Sequence, residues 1–379
     1  MSSFLARLLR DARSLANHGR FDDARTAFKR AWGGAPYGRP RRQRQEQPAS
    51  FEAARYSGPE GARDYKLFVP AGDAEVSRPL VVMLHGCGQD PDDFAAGTRM
   101  NAHAQEHGVL VLYPAQAPRS NQHRCWNWFM PGDQRRGAGE PALLAAITRH
   151  VMSLHAVDPA RVYVAGLSAG AAMADILARE YPDIYAAAGV HSGVPHGAAH
   201  DIASAYAAMQ GRPPRGALQM PFTWWLGTPT AARPTADAGV DAVATPIIVF
   251  HGDADDTVHP RNGDGVIGAL LARAGTAAAA SSESACIGGR SVTRTVHRRT
   301  GGALREPTLA EHWVLHGAGH AWSGGSGDGS HVDPLGPDAS REMLRFFAEH
   351  VRVAPTAQRA ARVALHARGP GPQALAAPR

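Results

Sequence analysis

The chain has 379 residues, enough for one large core or two modest ones. Its formal net charge of +6 would suit nucleic acid or an anionic surface, but the excess is confined to the ends: residues 1–50 hold 11 Lys/Arg against 4 Asp/Glu, residues 351–379 hold 5 Arg and no acid, and the remainder holds 24 basic against 30 acidic residues. The central part therefore gives no reason to expect nucleic acid; no apolar run is long enough for a membrane span, and three cysteines without a CxxC spacing exclude a disulfide framework or a cysteine metal site.

Residues 4–32 repeat apolar side chains at helical spacing (Leu5, Leu8, Leu9, Ala12, then Phe21, Ala24, Phe28), with Gly19 and Asp22-Asp23 between them, so two short amphipathic helices are expected. Arg7, Arg10, Asp11 and Arg13 deprive this stretch of the apolar segment of a secretory signal, which favours the cytoplasm. Residues 33–50, with Pro36, Pro40, Arg39, Arg41, Arg42 and Arg44, read as a basic linker. Together 1–50 form an arm whose expected partner is, at most, a weak electrostatic contact with a surface.

From 51 to 350 the pattern changes to short apolar runs alternating with helical stretches. Runs at 80–84, 109–113, 162–165, 246–250 and 312–315, and a weaker one at 186–190, have the continuous apolarity of strands buried on both faces. Helices are expected at 142–154, 169–181 and 340–350. The alternation predicts an α/β fold, a mostly parallel central sheet with helices on both faces, while 51–56 and 65–69 would add antiparallel strands at one edge. Residues 195–245, with Trp224-Trp225, read equally as a lid or as a surface loop carrying one helix at 202–209. Residues 351–379, rich in Ala, Pro, Gly and Arg, are expected to be a disordered basic tail.

The sharpest local signal is Gly166-Leu167-Ser168-Ala169-Gly170, between a strand and a helix. A serine displayed on so tight a turn needs small residues two before and two after it, and the helix N-terminus aims free N–H groups at a developing oxyanion. A serine hydroxyl also needs a histidine base oriented by a carboxylate. His251-Gly252-Asp253-Ala254-Asp255-Asp256-Thr257-Val258 and His316-Gly317-Ala318-Gly319-His320 both follow strands, and the order Ser168, Asp255, His320 is that in which α/β-hydrolases supply a triad. Asp253 and Asp256 compete with Asp255, which the HGxxDxxV spacing favours. His312 and His316 compete with His320, which the flanking Gly317 and Gly319 leave free to reach back over the sheet. His85, His191 and His251 read as structural. The second oxyanion donor beside Ala169 is expected in Leu84-His85-Gly86-Cys87-Gly88, at Cys87. No HExxH or comparable spacing is present, and neither metal nor organic cofactor is expected.

These segments, with Cys125-Trp126-Asn127-Trp128-Phe129 and Gly319-His320-Ala321-Trp322, resemble the poly(3-hydroxybutyrate) depolymerase family of α/β-hydrolase esterases, whose relatives include feruloyl and acetylxylan esterases. The resemblance implies ester hydrolysis through an acyl-enzyme, with Ser168 as nucleophile, His320 as base then acid, Asp255 as its orienter, and Cys87 and Ala169 as oxyanion donors. It further suggests a Cys87–Cys125 disulfide, whereas two free thiols are the default reading of a chain without a signal. Trp126, Trp128 and Trp322 could line an acyl or polymer cleft, or serve as core residues. Members are often extracellular, against the cytoplasmic reading of the N-terminus. Polymer-degrading members usually add a separate binding domain, for which 1–50 and 351–379 are too short; short 3-hydroxyalkanoate oligomers or amorphous polymer are the expected substrate. The rivals are a feruloyl or acetylxylan esterase and, more distantly, a non-enzymatic protein docked through its basic arm.

Overall fold

The computed structural model describes residues 46–212, 244–275, 278–300 and 308–352. The expected N-terminal helices, most of the linker, the middle of the 195–245 insert with Trp224 and Trp225, and the tail beyond residue 352 lie outside the described residues.

Ten strands among the described residues form one sheet: β1 (Ser50–Gly58), β2 (Gly61–Val69), β3 (Arg78–Leu84), β4 (Leu110–Pro114), β5 (Val157–Leu167), β6 (Ala187–His191), β7 (Ile247–Gly252), β8 (Ala278–Ile287), β9 (Arg290–Arg299) and β10 (Thr308–Leu315). Their order across the sheet is β1-β2-β4-β3-β5-β6-β7-β10-β9-β8. The six apolar runs form its parallel centre: β3 pairs in parallel with β4 and β5, and the parallel ladder continues through β6 and β7 to β10. All residues of β3, β4, β6 and β7 are buried, which is why these segments show no polar alternation. β1 and β2 add the antiparallel edge next to β4.

Side-chain alternation divides the core in two. Leu80, Val82, Leu84, Val162, Val164, Val190 and Val249 face α3 (Gly139–Leu154), α4 (Ala169–Glu180) and α6 (Arg261–Ala274). Their neighbours Val81, Met83, Tyr163, Ala165, Ile248 and Phe250 face α1 (Pro91–Thr98), α2 (Met100–His107) and α7 (Ala339–Ala348). Helices thus cover both faces. The expected helices near 142–154, 169–181 and 340–350 are α3, α4 and α7, and the one at 202–209 is α5 (Ile202–Met209).

The far edge was not foreseen. β8 and β9 make a ten-pair antiparallel hairpin, and β9 runs antiparallel to β10. The signal was present: Gly288 and Gly289 form the two-residue turn, with φ of 55° and 78°, and two central residues at positive φ are what a tight hairpin with the sheet's twist requires. Its first strand has alanines but almost no bulky apolar residues, its second is largely polar, and Ala278–Ile287 is exposed over most of its length, so apolar periodicity alone passes over it.

Candidate active site

Ser168, Ala169, Asp255, His320 and Cys87 each sit just past the carboxyl end of a parallel strand, where open α/β sheets bind their ligands; Cys125 and the tryptophans do not. Ser168 joins β5 to α4 at φ 57° and ψ −119°, a conformation that costs a non-glycine residue about 1–3 kcal/mol. The turn is walled in. A Cβ on Gly166 would stand 2.4 Å from the Gly170 carbonyl carbon, and one on Gly170 would stand 2.0 Å from the Leu84 carbonyl oxygen and 2.5 Å from that of His85. The β5–α4 elbow and the end of β3 therefore touch backbone to backbone, which puts the Cys87 segment beside the N-terminus of α4. The Ser168 N–H donates to the carbonyl of His191 at 2.9 Å.

Across β6 from Ser168, β7 delivers Asp255 and the adjacent β10 delivers His320. His320 Nδ1 donates to Asp255 Oδ2 at 2.7 Å. The other carboxylate oxygen accepts the N–H groups of Val258 at 2.8 Å and Thr257 at 3.0 Å, and His251 Nε2 lies 3.5 Å from Oδ2 while donating to the Val258 carbonyl at 2.7 Å. Burial pushes the Asp255 carboxyl upward, but the hydrogen bonds from His251 and His320, the His320 charge and the Val258 N–H outweigh it and hold the group well below the usual carboxylate range. An ionised, buried carboxylate on Nδ1 fixes the imidazole with Nε2 free to take a proton.

The competing residues are separated by the same geometry. Asp253 accepts from His316 Nδ1 at 2.8 Å and from the Gly317 N–H at 2.6 Å, clipping the start of the loop that carries His320. Asp256 is exposed. His312 is buried within β10 beside Gly263, 3.7 Å from Asp264.

The segment after β3 is gripped from several sides. The His85 ring donates through Nδ1 to the Gly86 carbonyl at 2.7 Å and accepts the Gln116 N–H at Nε2, 3.0 Å away; burial keeps it neutral by lowering its pKa to about 4. Gln89 Oε1 accepts the Gly86 N–H at 2.9 Å, while its amide donates to Asp93 and to the Ser330 carbonyl, tying this loop to the chain beyond His320. Cys87 is joined to Cys125 by a disulfide with the Cα atoms 4.2 Å apart. Behind Cys125 lies a buried polar cluster: Gln116 bonds Arg63, Glu140 and the Cys125 carbonyl, and Glu140 accepts the Asn127 N–H at 2.7 Å. Sequence reasoning missed Gln89, Gln116 and Glu140; Gln89 alone carried a signal, as the residue directly after the Leu84–Gly88 segment.

The tryptophans require a correction. Trp126 is 0% exposed and donates through Nε1 to the His85 carbonyl at 3.1 Å. Trp322 is 1% exposed, stacks on His191 at 5.1 Å and donates to Ser340 Oγ. Neither indole has a face left for a substrate, so both are packing residues that support the loops bearing Cys87 and His320. Trp128 is likewise buried, against Phe129. Among the described residues, no three His, Cys, Asp or Glu side chains gather as a metal site, and no helix is long and apolar enough to cross a membrane.

The sheet order and the placement of these residues define an α/β-hydrolase. The acetyl xylan esterase from Aspergillus awamori has the same fold, with a TM-score of 0.54 at 19% identity over 78% of this chain and 99% of that one. The family model "Esterase PHB depolymerase" matches residues 63–292, more than half of the chain, and the chain belongs to that family. It is 37% identical over 194 residues to poly(3-hydroxyalkanoate) depolymerase C of Paucimonas lemoignei, covering 51% of this chain and 44% of that protein. Against feruloyl esterase B of Neurospora crassa the identity is 30% over 207 residues, covering 54% and 68%. The match thus spans less than half of the depolymerase.

Proposed function

We propose that the chain is a serine esterase that works through an acyl-enzyme, with Ser168, His320 and Asp255 as its triad. The observation that carries this reading is the Asp255–His320 pair at 2.7 Å, delivered to the same sheet end as a serine held at positive φ. Ser168 Oγ attacks the ester carbonyl as His320 Nε2 takes its proton. The tetrahedral oxyanion is received by the N–H of Ala169, the first residue of α4, and that of Cys87. Collapse of the intermediate expels the alcohol, protonated by His320, and water then repeats the sequence on the acyl-enzyme. Asp255 stays ionised throughout and stabilises the imidazolium.

For the substrate we propose short 3-hydroxyalkanoate oligomers or amorphous poly(3-hydroxybutyrate), supported by the depolymerase relative. A feruloyl or acetylxylan ester is the second reading, supported by the feruloyl esterase relative, which this chain matches over more of its length. Rates measured side by side on hydroxybutyrate oligomers, a ferulate ester and acetylated xylan separate them. The esterase reading itself is tested with Ser168→Ala on a short-chain p-nitrophenyl ester: turnover is expected to vanish in a folded protein, and retained turnover would remove Ser168 from the mechanism.

A further inference from the structure

His191 ends β6 and is 0% exposed; nothing in the proposed chemistry uses it. Its three polar contacts nevertheless reach both halves of the site. Its carbonyl accepts the Ser168 N–H at 2.9 Å. Its Nε2 accepts the Ser323 N–H at 3.0 Å, three residues past His320. Since Nε2 accepts, the ring proton is on Nδ1 and is directed to Ser192 Oγ, 3.2 Å away. The ring is held between Phe250 and Trp322, near-parallel to each, with centroids at 5.7 and 5.1 Å.

The backbone around His191 is constrained on both sides. Ser192, like Ser168, is a non-glycine residue at positive φ, 52°, and a Cβ on the following Gly193 would stand 2.8 Å from the Ala171 Cβ in α4. The chain therefore turns away from the sheet directly beneath the helix that begins at the nucleophile. On the base side, the loop bearing His320 is clipped at its start by Asp253, through His316 and Gly317. At its far end the Ser323 N–H meets the His191 ring. A buried N–H without a partner is costly, so the bond at Ser323 defines where the loop closes.

We infer that His191 is a positioning residue that sets the distance between Ser168 and His320, holding the nucleophile through its main chain and the base loop through its ring acceptor. The role requires a neutral ring. Burial, reinforced by the nearby charges of His251 and His320, lowers its pKa to about 3, so it keeps its acceptor across the range in which an imidazole base operates. The inference rests on the esterase reading above.

Three substitutions test it. Gln at this position reaches as far as Nε2 and presents an oxygen acceptor; Asn has the same chemistry but stops short; Phe keeps the stacked ring and lacks the acceptor. With turnover expressed per folded molecule, His191→Phe and His191→Asn are expected to lose about 10²-fold in kcat with KM little changed, the signature of misplaced reacting groups. His191→Gln is expected to recover at least about ten-fold over His191→Asn. A packing role alone predicts the reverse order, with Phe closest to the parent. Parent-like kcat in His191→Phe, or equal kcat in the Gln and Asn variants, would overturn the inference; should the Phe variant fail to fold, the Gln–Asn comparison decides. Absence of Ser168-dependent turnover in the unaltered chain would instead sink the esterase reading, and this inference with it.

Discussion

Gly170→Ala puts a single methyl group where two main-chain segments already touch. The new Cβ would lie 2.0 Å from the Leu84 oxygen, against 3.4 Å for the nearest ordinary contact, so about 1.4 Å must be found. Neither side can supply it by rotating a side chain. Leu84 is the last residue of the fully buried β3 and is registered opposite Gly166 on β5, and Gly170 is in the first turn of α4. The elbow must move away from the end of β3 and carry Ser168 and the Ala169 N–H with it. A displacement of this size costs about 10²-fold in kcat, and the overpacking costs about 3 kcal/mol of stability. Gly319→Ala is the matched control: its Cβ would meet nothing within 4 Å although it adjoins His320, so parent-like activity and stability are expected. The assay is kcat and KM on a p-nitrophenyl ester, with urea unfolding followed by tryptophan fluorescence. A Gly170→Ala protein as active and as stable as Gly319→Ala would refute the close backbone contact on which the elbow rests.

Three further outcomes are expected. Asp255→Asn leaves the shape of the site but removes the charge that fixes the His320 tautomer, and kcat should fall by about 10⁴-fold; a loss below ten-fold would show that another group orients His320. Breaking the disulfide, by Cys125→Ser, releases a loop closed over 38 residues, for which chain entropy predicts about 4 kcal/mol of destabilisation, and it should lower kcat as well by loosening Cys87; urea midpoints and kcat unchanged from the parent would count against both effects. His85, His191 and His312 are buried with pKa values lowered from 6.5 to about 4, 3 and 4, chiefly by desolvation. Because the unfolded chain binds protons first, the stability these rings contribute is complete above pH 6.5 and declines as pH falls toward their folded values. Lowering pH from 7 to 5 should remove about 5 kcal/mol in total. The depressed carboxyls of Asp255 and Glu311 add their loss only below about pH 4, so equal urea midpoints at pH 7 and 5 would mean that these histidines are not buried as neutral rings.

The sequence disclosed what apolar runs and glycine spacing can encode. Six runs located the parallel centre, because a strand buried on both faces has few polar residues. Gly166 and Gly170 marked the elbow, because no other residue fits there. Asp255 and His320 were chosen from among neighbours by spacing alone, and the 2.7 Å bond joins that pair while Asp253 is occupied with His316. The hairpin of β8 and β9 escaped because an exposed edge has no apolar face to betray it. The tryptophans were ambiguous for a related reason: an indole suits a cleft and a core equally, and only the contacts of Trp126 with His85 and of Trp322 with His191 show which. Gln116 and His191 were invisible as participants, since each acts on groups that only folding brings near.

Asp255 and His320 are 65 positions apart, and α6 and the β8–β9 hairpin are made between them. During synthesis the chain emerges from its N-terminus, so Ser168 and then Asp255 are present before His320 has been translated. The imidazole comes last, just past β10, the strand that pairs in parallel with β7. On the proposed triad, a fragment released before β10 would hold Ser168 and Asp255 but no base, and would be inactive.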